Sequence, residues 1–594
     1  MQLAPLDLTI VLGFLALSLL IGVAVARRAG ASSGEFFLSG RNMPWWLLGV
    51  SMVATTFSTD TPNLVTDIVR TTGVAGNWVW WAFLLTGMLT TFVYSRLWRR
   101  SGMETDIGFY EIRYSGRAAA FLRGFRALYL GVFFNVMIMA SVTLAAIKIG
   151  GVMLGLSPAA TVLIAGSVTL LYATLGGLTG VILTDFVQFG MALFGSIAAA
   201  WYALQQPEVG GLRALLAHPE VAPKLGLIPD FSDSSLVVGV FVVPLAVQWW
   251  ATWYPGAEPG GGGYIAQRML AAKNESHAQG ATLLFNVAHY ALRPWPWIVV
   301  ALASLVVFPD LESLRAAFPE VDPGVVRHDL AYPAMLTFLP TGLLGLVIAS
   351  LVAAYMSTIS THLNWGASYI VNDWYRRFVR PDASEQKLVL VGRLSTAALM
   401  IAACAVSLLL SNALQAFQIL LQIGAGTGLL FILRWFWWRI SAASEIAAMT
   451  ISFLVAGWFQ FAHASVFGTV PAPHQQLLTG VAITTIGWLL VTLLTPATDE
   501  STLRSFCQQI RPGGRGWAAV AERAAADGEP LETTNTAAAS FPAALSCMLL
   551  GSAAVYMTLF SIGYLLYGRT GLALLLALMA TGATAAITRL WRRL

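Results

Sequence analysis

The chain has 594 residues, 57% hydrophobic and only 11% charged, against about 25% charged in soluble globular proteins. With a mean hydropathy of +0.71, that much apolar surface excludes a soluble enzyme, a nucleic-acid module or a secreted scaffold and predicts a polytopic membrane protein. The net charge of +5 does not argue for nucleic acid, because the basic residues sit in short loops between apolar spans. Cys404, Cys507 and Cys547 lie too far apart for a disulfide framework or a zinc motif.

The first apolar run, 8–26, has no preceding basic residue and is followed by Arg27 and Arg28. It reads as a retained transmembrane helix with its N-terminus outside rather than a signal peptide. The sequence predicts fifteen spans: 8–26, 44–73, 78–98, 124–150, 158–178, 180–205, 236–256, 280–307, 338–372, 388–411, 413–436, 442–463, 476–496, 543–566 and 571–590. Most of the 34 Lys and Arg residues then fall on inner segments, including Arg41, the 96–126 cluster, Arg376, Arg377, Arg589, Arg592 and Arg593. The positive-inside rule therefore places the C-terminus in the cytoplasm. The outer loop 308–337, which carries Asp310, Glu312, Glu320, Asp322 and Asp329, and the polar stretch 497–541 both read as solvated loops. No GxxxxGK[ST] motif suggests ATP-driven transport.

A charge at the bilayer centre costs at least ~2.5–3.5 kcal/mol, so intramembrane ionisable residues are the places to look. They are Asp60, Asp67, Lys148, Asp185 and Arg293, with His289 and His362 expected as core hydrogen-bonders. Lys148, near the outer end of its span, is expected to snorkel. Arg293, before Pro294, reads as a gate ion pair or a helix-break cap.

The second span carries Thr55, Thr56, Ser58, Thr59, Asp60 and Thr61 at its centre, followed by Pro62. Proline removes a donor and disfavours helix before it, so this is either a helix broken near the midplane, with carbonyls free for a hard cation, or a proline kink. In the ninth span Ser357, Thr358, Ser360 and Thr361 cluster on adjoining faces, as oxygen ligands for a small cation or as a small-residue packing face. Asp185, about two turns into the sixth span, needs a partner, a cation or a proton.

Five segments in order resemble the sodium:solute symporter family, sodium-coupled carriers of sugars, proline, pantothenate, sialic acid and iodide. They are EFFLSGRNMPWW (35–46), SMVATTFS (51–58), YATLGGLTGVILTDFVQ (172–188), YIAQRMLAAK (264–273) and LPTGLLGLVIASLVAAYMSTIS (339–360), the last followed by Asn364 and Asp373. Gly180 departs slightly from the family signature.

The resemblance implies an all-α, leucine-transporter-type fold of two inverted five-helix repeats, with one extra N-terminal and four extra C-terminal helices. The implied units are 1–43 (helix and loop), 44–205 (first repeat), 206–436 (second repeat with its preceding outer loop), 437–496 (two helices), 497–541 (cytoplasmic loop) and 542–594 (a helix pair). It implies a first sodium site from the carbonyls of Ala54, Phe57 and Ala354 and the hydroxyls of Ser357 and Thr358. A second would use Asp185, Ser360 and Thr361, with Ser357 shared. Substrate residues would be Thr56, Asp60 and Thr61 on the first core helix and Gln248, Trp249, Trp250 and Trp253 on the sixth. The glycine-rich connection 256–263 is longer than in familiar members, which leaves the register of the sixth-helix residues open by several positions. The tryptophans alone also suit a lipid-interface belt.

The implied function is not enzymatic. It is sodium-coupled symport of a sugar, amino acid or carboxylate across the cell membrane, with solute, sodium and bilayer as partners, no organic cofactor and no nucleic acid. A transporter-like sensor signalling through the C-terminal extension is the alternative.

Overall fold

The computed structural model describes residues 3–253, 258–410, 412–531 and 535–591, less the side chains of 172, 175, 413, 415, 416 and 535–540. Residues 256 and 257 of the glycine-rich connection, and Arg592 and Arg593, therefore lie outside the described residues. Twelve helices among the described residues are long and apolar enough to cross a membrane. The three other expected spans, 44–73, 158–178 and 413–436, exist as shorter or interrupted helices.

In chain order the helices used below are α1 (Pro5–Ala29), α2 (Trp45–Thr56), α3 (Asp60–Thr72), α4 (Val74–Ser101), α5 (Gly116–Leu154), α6 (Pro158–Leu204) and α7 (Ser234–Ala251). Then come α8 (Gly263–Ala271), α9 (Glu275–Val307), α10 (Leu343–Val379), α11 (Glu385–Ser407) and α12 (Ala413–Ile423). The C-terminal part holds α13 (Ala442–Phe467), α14 (Pro473–Leu494), α15 (Glu500–Ile510), α16 (Ala518–Ala526), α17 (Asn535–Leu566) and α18 (Thr570–Trp591).

The 47 residues of α6 would measure about 70 Å as one straight helix, far more than a bilayer core of about 30 Å. Gly177 resolves this. Its φ of 51° and ψ of −163° interrupt the helix, and a Cβ there would meet the Phe36 carbonyl oxygen at 2.9 Å, so the bend needs glycine.

Two helices line up along the broken pair. The first half of α9 packs on α2 and its second half on α3. Helix α10 packs on α6 and on α2, which brings the hydroxyl cluster and Asp185 to the break. The hairpin α17–α18 packs through α17 on α4 and α9, where Trp295 Nε1 donates to the Leu559 carbonyl at 2.8 Å and Tyr556 Oη to that of Trp81 at 2.9 Å.

Two loop expectations are corrected. In 308–337, Asp329 is fully buried and holds Lys148 Nζ at 2.6 and 2.8 Å. Lys148 therefore does not snorkel to water: a buried ammonium needs its counter-charge within the protein. The 497–541 stretch is not simply solvated either. Helices α15 and α16, with Trp517 in the turn just before α16, bury Leu503, Phe506, Ile510, Trp517 and Val520. They dock through Gln509 Nε2 to the Ser101 carbonyl (2.8 Å) and Trp517 Nε1 to that of Trp435 (2.8 Å). The apolar residues of α15 recur at helical spacing, so a length of polar composition hid an amphipathic helix.

Candidate functional site

The break between α2 and α3 covers Phe57 to Thr59, with Phe57 at φ −85° and ψ 60°. Pro62 is the third residue of α3, a position whose N–H has no intrahelical partner anyway. The open choice between break and kink is thus settled as a break, and the last carbonyls of α2 can be accounted for individually. Those of Val53 and Ala54 accept the Phe57 N–H at 2.8 and 3.0 Å. That of Thr55 accepts Thr358 Oγ1 at 2.7 Å. That of Thr56 accepts Thr61 Oγ1 at 3.2 Å and Arg293 Nη1.

Arg293 is therefore the helix-break cap. Its guanidinium lies at the negative end of the α2 dipole, and Asp60 opens α3 at the positive end of the next. Arg293 is 1% exposed; its Nη2 meets His289 Nε2 at 3.0 Å, and His289 Nδ1 meets Thr56 Oγ1 at 2.9 Å. The expectation of a core hydrogen-bonding role holds for His289. It holds also for His362, whose Nδ1 meets Asn135 Oδ1 at 2.7 Å.

Beside the break lies a cavity of about 120 Å³. Thr56, Asp60, Thr61 and Arg293 supply its polar wall, and Trp80, Phe83, Tyr264, Tyr290 and Phe417 its aromatic one. Ser58 Oγ donates to Asp60 Oδ1. An acidic and a basic side chain thus face one small space.

The four expected residues of the sixth core helix are not on this cavity. Gln248 Nε2 donates to the Val79 carbonyl at 2.6 Å, and the Trp249 and Trp250 indoles donate to Leu245 and Ala246. Trp253 packs edge-on against Phe134 at 4.8 Å. Tyr264, just beyond the glycine-rich connection, lines the cavity instead.

At the candidate first cation site Ala54, Phe57, Ala354, Ser357 and Thr358 are all buried, at 1–3% exposure. Thr358 Oγ1 joins the Thr55 carbonyl to that of Ala354 (3.1 Å). Asp185, at the candidate second site, accepts Ser357 Oγ on Oδ1 and Ser51 Oγ on Oδ2, each at 2.5 Å. Ser360 Oγ turns back to the Ser357 carbonyl at 3.2 Å. Thr361 Oγ1 meets Thr55 Oγ1 at 3.0 Å and accepts Arg268 Nη2 at 2.7 Å.

Arg268 and Ser51 are the residues that sequence reasoning missed here. The Arg268 guanidinium is fully buried and reaches Ser51 Oγ at 3.3 Å from both Nε and Nη2. The available signal was a lone arginine inside the apolar run YIAQRMLAA. Asp185 is not a lone carboxylate; it shares its hydroxyl partner with a buried cation, which offsets the desolvation of both.

A discontinuous helix tied to a continuous one, beside a small cavity with fixed charges, in a bundle of membrane-length helices, defines a polytopic membrane protein of the carrier type. The profile of the sodium:solute symporter family matches residues 36–452, and the chain belongs to that family. It is 27% identical over 496 residues to a sodium/glucose cotransporter of Vibrio parahaemolyticus, covering 80% of this chain and 88% of the relative. A sodium/mannose cotransporter of Bos taurus is 27% identical over 420 residues, covering 66% and 67%. A solved sodium-coupled sialic acid symporter, in a substrate-bound outward-open state, superposes with a TM-score of 0.66 at 20% identity, covering 84% of this chain and 99% of that one. The last likeness shows a shared fold.

Proposed function

We propose that this chain carries a small polar organic solute into the cell together with sodium, by alternating access between two inverted repeats in a fifteen-span membrane protein whose C-terminus is cytoplasmic. The observation that carries the reading is the tie from Thr358 of α10 to the last turn of α2, next to a cavity lined by Asp60 and Arg293. A cation bound among the oxygens of Ala54, Phe57, Ala354, Ser357 and Thr358 would brace α2 against α10. The solute would then meet a preformed wall of Thr56, Asp60 and Thr61. Ion and solute need not touch, but their coupling must be reciprocal. Asp185, with Ser357, Ser360 and Thr361, is the second ion site in this reading, and Arg268 donates to its Thr361 hydroxyl.

The energetics suffice. One charge crossing 100 mV gains ~2.3 kcal/mol, an accumulation of about 50-fold; two give about 2,000-fold. Sugars, amino acids and carboxylates are the solute classes to test, sugars first because the sodium/glucose and sodium/mannose relatives point there. The experiment is uptake of labelled solutes into proteoliposomes with an inward sodium gradient. Sodium-dependent accumulation that collapses with the gradient supports the proposal; equal uptake without sodium removes it.

A further inference from the structure

We infer that the groove between α12, α13 and α14 is a second ligand site, built for a neutral polyhydroxylated group. It has a volume of about 690 Å³, within the ~300–1,000 Å³ typical of small-molecule sites. Helix α12 separates it from the central cavity: Phe417 lines the central cavity, Gln418 and Gln422 line the groove, and Leu420 borders both. Gln460 from α13 and Gln476 from α14 complete a set of four carboxamides.

Carboxamides facing an apolar surround in a membrane protein are costly unless engaged. Two are engaged: Gln422 Nε2 donates to the Gln476 carbonyl at 3.2 Å, and Gln476 Nε2 to that of Pro471 at 2.8 Å. Gln418 and Gln460 are exposed into the groove and have no side-chain hydrogen bond among the described residues.

The chemistry of the lining selects the ligand. Each carboxamide both donates and accepts, which suits hydroxyl groups. No charged side chain lines the groove among the described residues, so a phosphate or an ammonium would be left unpaired. Phe133, Phe453 and Phe461 supply apolar rings for the C–H faces of a sugar or polyol. Phe461 is 82% exposed, so the rim of the groove is apolar. Two sources offer the same chemistry: a free sugar or polyol, and the sugar head of a membrane amphiphile.

The test uses the full chain in phosphatidylcholine nanodiscs in sodium-free buffer, with radiolabelled glucose in one arm and radiolabelled octyl glucoside in the other. Wild-type protein is compared with Gln418→Leu/Gln460→Leu and with the single, exposed Gln460→Ala. Saturable binding is expected in at least one arm. It should weaken about tenfold in the double variant, the scale of one or two lost hydrogen bonds, and less in the single variant. Binding of glucose points to an aqueous ligand, and binding of octyl glucoside alone to a membrane amphiphile. Absence of saturable binding in both arms, or binding unchanged in both variants, overturns the proposal. Because Gln418 and Gln460 line the groove and not the central cavity, weaker binding in the variants reports on the groove, whether or not the chain performs sodium-coupled transport.

Discussion

Thr358 Oγ1 donates to the Thr55 carbonyl at 2.7 Å, across 303 positions of sequence, and so fastens the middle of α10 to the last turn of the broken helix. Bound sodium is proposed to strengthen this junction. Ser357→Ala and Thr358→Ala should each raise the half-saturating sodium concentration about 5- to 30-fold, the equivalent of ~1–2 kcal/mol for a lost oxygen partner, with little change in expression. Uptake as a function of sodium concentration checks this. An unchanged half-saturation in both variants would move the first ion site elsewhere.

Asp185→Asn removes the negative charge beside Arg268 and one candidate ion ligand. The Hill coefficient for sodium should fall from two toward one, or transport should be lost. Leaving a buried guanidinium without its counter-charge costs ~3–5 kcal/mol, so the variant should also melt earlier, and Asp185→Asn/Arg268→Gln should recover part of that loss. A Hill coefficient that stays near two counts against Asp185 as a ligand.

Asp60 faces the central cavity and is held by Ser58. In Asp60→Asn an amine-bearing solute should lose ~1.5–3 kcal/mol of binding, the scale of a charged hydrogen bond, and a neutral polyol less. Were Asp60 only the opening residue of α3, Asn would serve about as well and affinity at saturating sodium would not move.

Lys148→Met should destabilise the protein by ~3–5 kcal/mol, because Asp329 stays buried without its ammonium. Lys148→Met/Asp329→Leu should be considerably milder, since neither charge then needs a partner. Thermal unfolding of the single and double variants in one detergent distinguishes the two; equal destabilisation would mean that the pair does not act as a unit.

His328 lies in the 308–337 loop, outside the membrane-length helices. Burial, and then the Arg70 guanidinium whose Nε donates to its Nδ1 at 3.3 Å, hold the ring below its ordinary range, with Lys224 acting the same way and Asp329 opposing. Below about pH 6.5, the value for an unperturbed histidine, the unfolded chain therefore binds more protons than the folded one. Stability is full above that pH and falls as the pH drops toward the lowered folded value. The apparent melting temperature should decline between pH 7 and 5, and less steeply in His328→Gln, which keeps an acceptor for Arg70. Parallel pH profiles would exclude His328 as the titrating group.

Much of this molecule was legible along the chain. Apolar runs fixed by bilayer thickness mark the membrane-length helices. Asp60, Asp185, Lys148 and Arg293 stood out because charges in such runs are too costly to be idle. The hydroxyls and Pro62 marked the break, since proline and threonine act on the backbone within a few residues. The motifs in order carried the family.

Only the tertiary structure decided who meets whom. Arg268 reaches Thr361 and Ser51, Arg293 caps α2, Asp329 neutralises Lys148, and Tyr264 lines the central cavity where Gln248 and the nearby tryptophans were expected. Those pairings join helices dozens to hundreds of residues apart. The bend at Gly177, which lets α6 fold back within the bundle, leaves no periodic trace either. Burial in a membrane is a property of each segment's own composition, whereas the partner of a buried charge is set by helix packing, and packing is a property of the whole bundle.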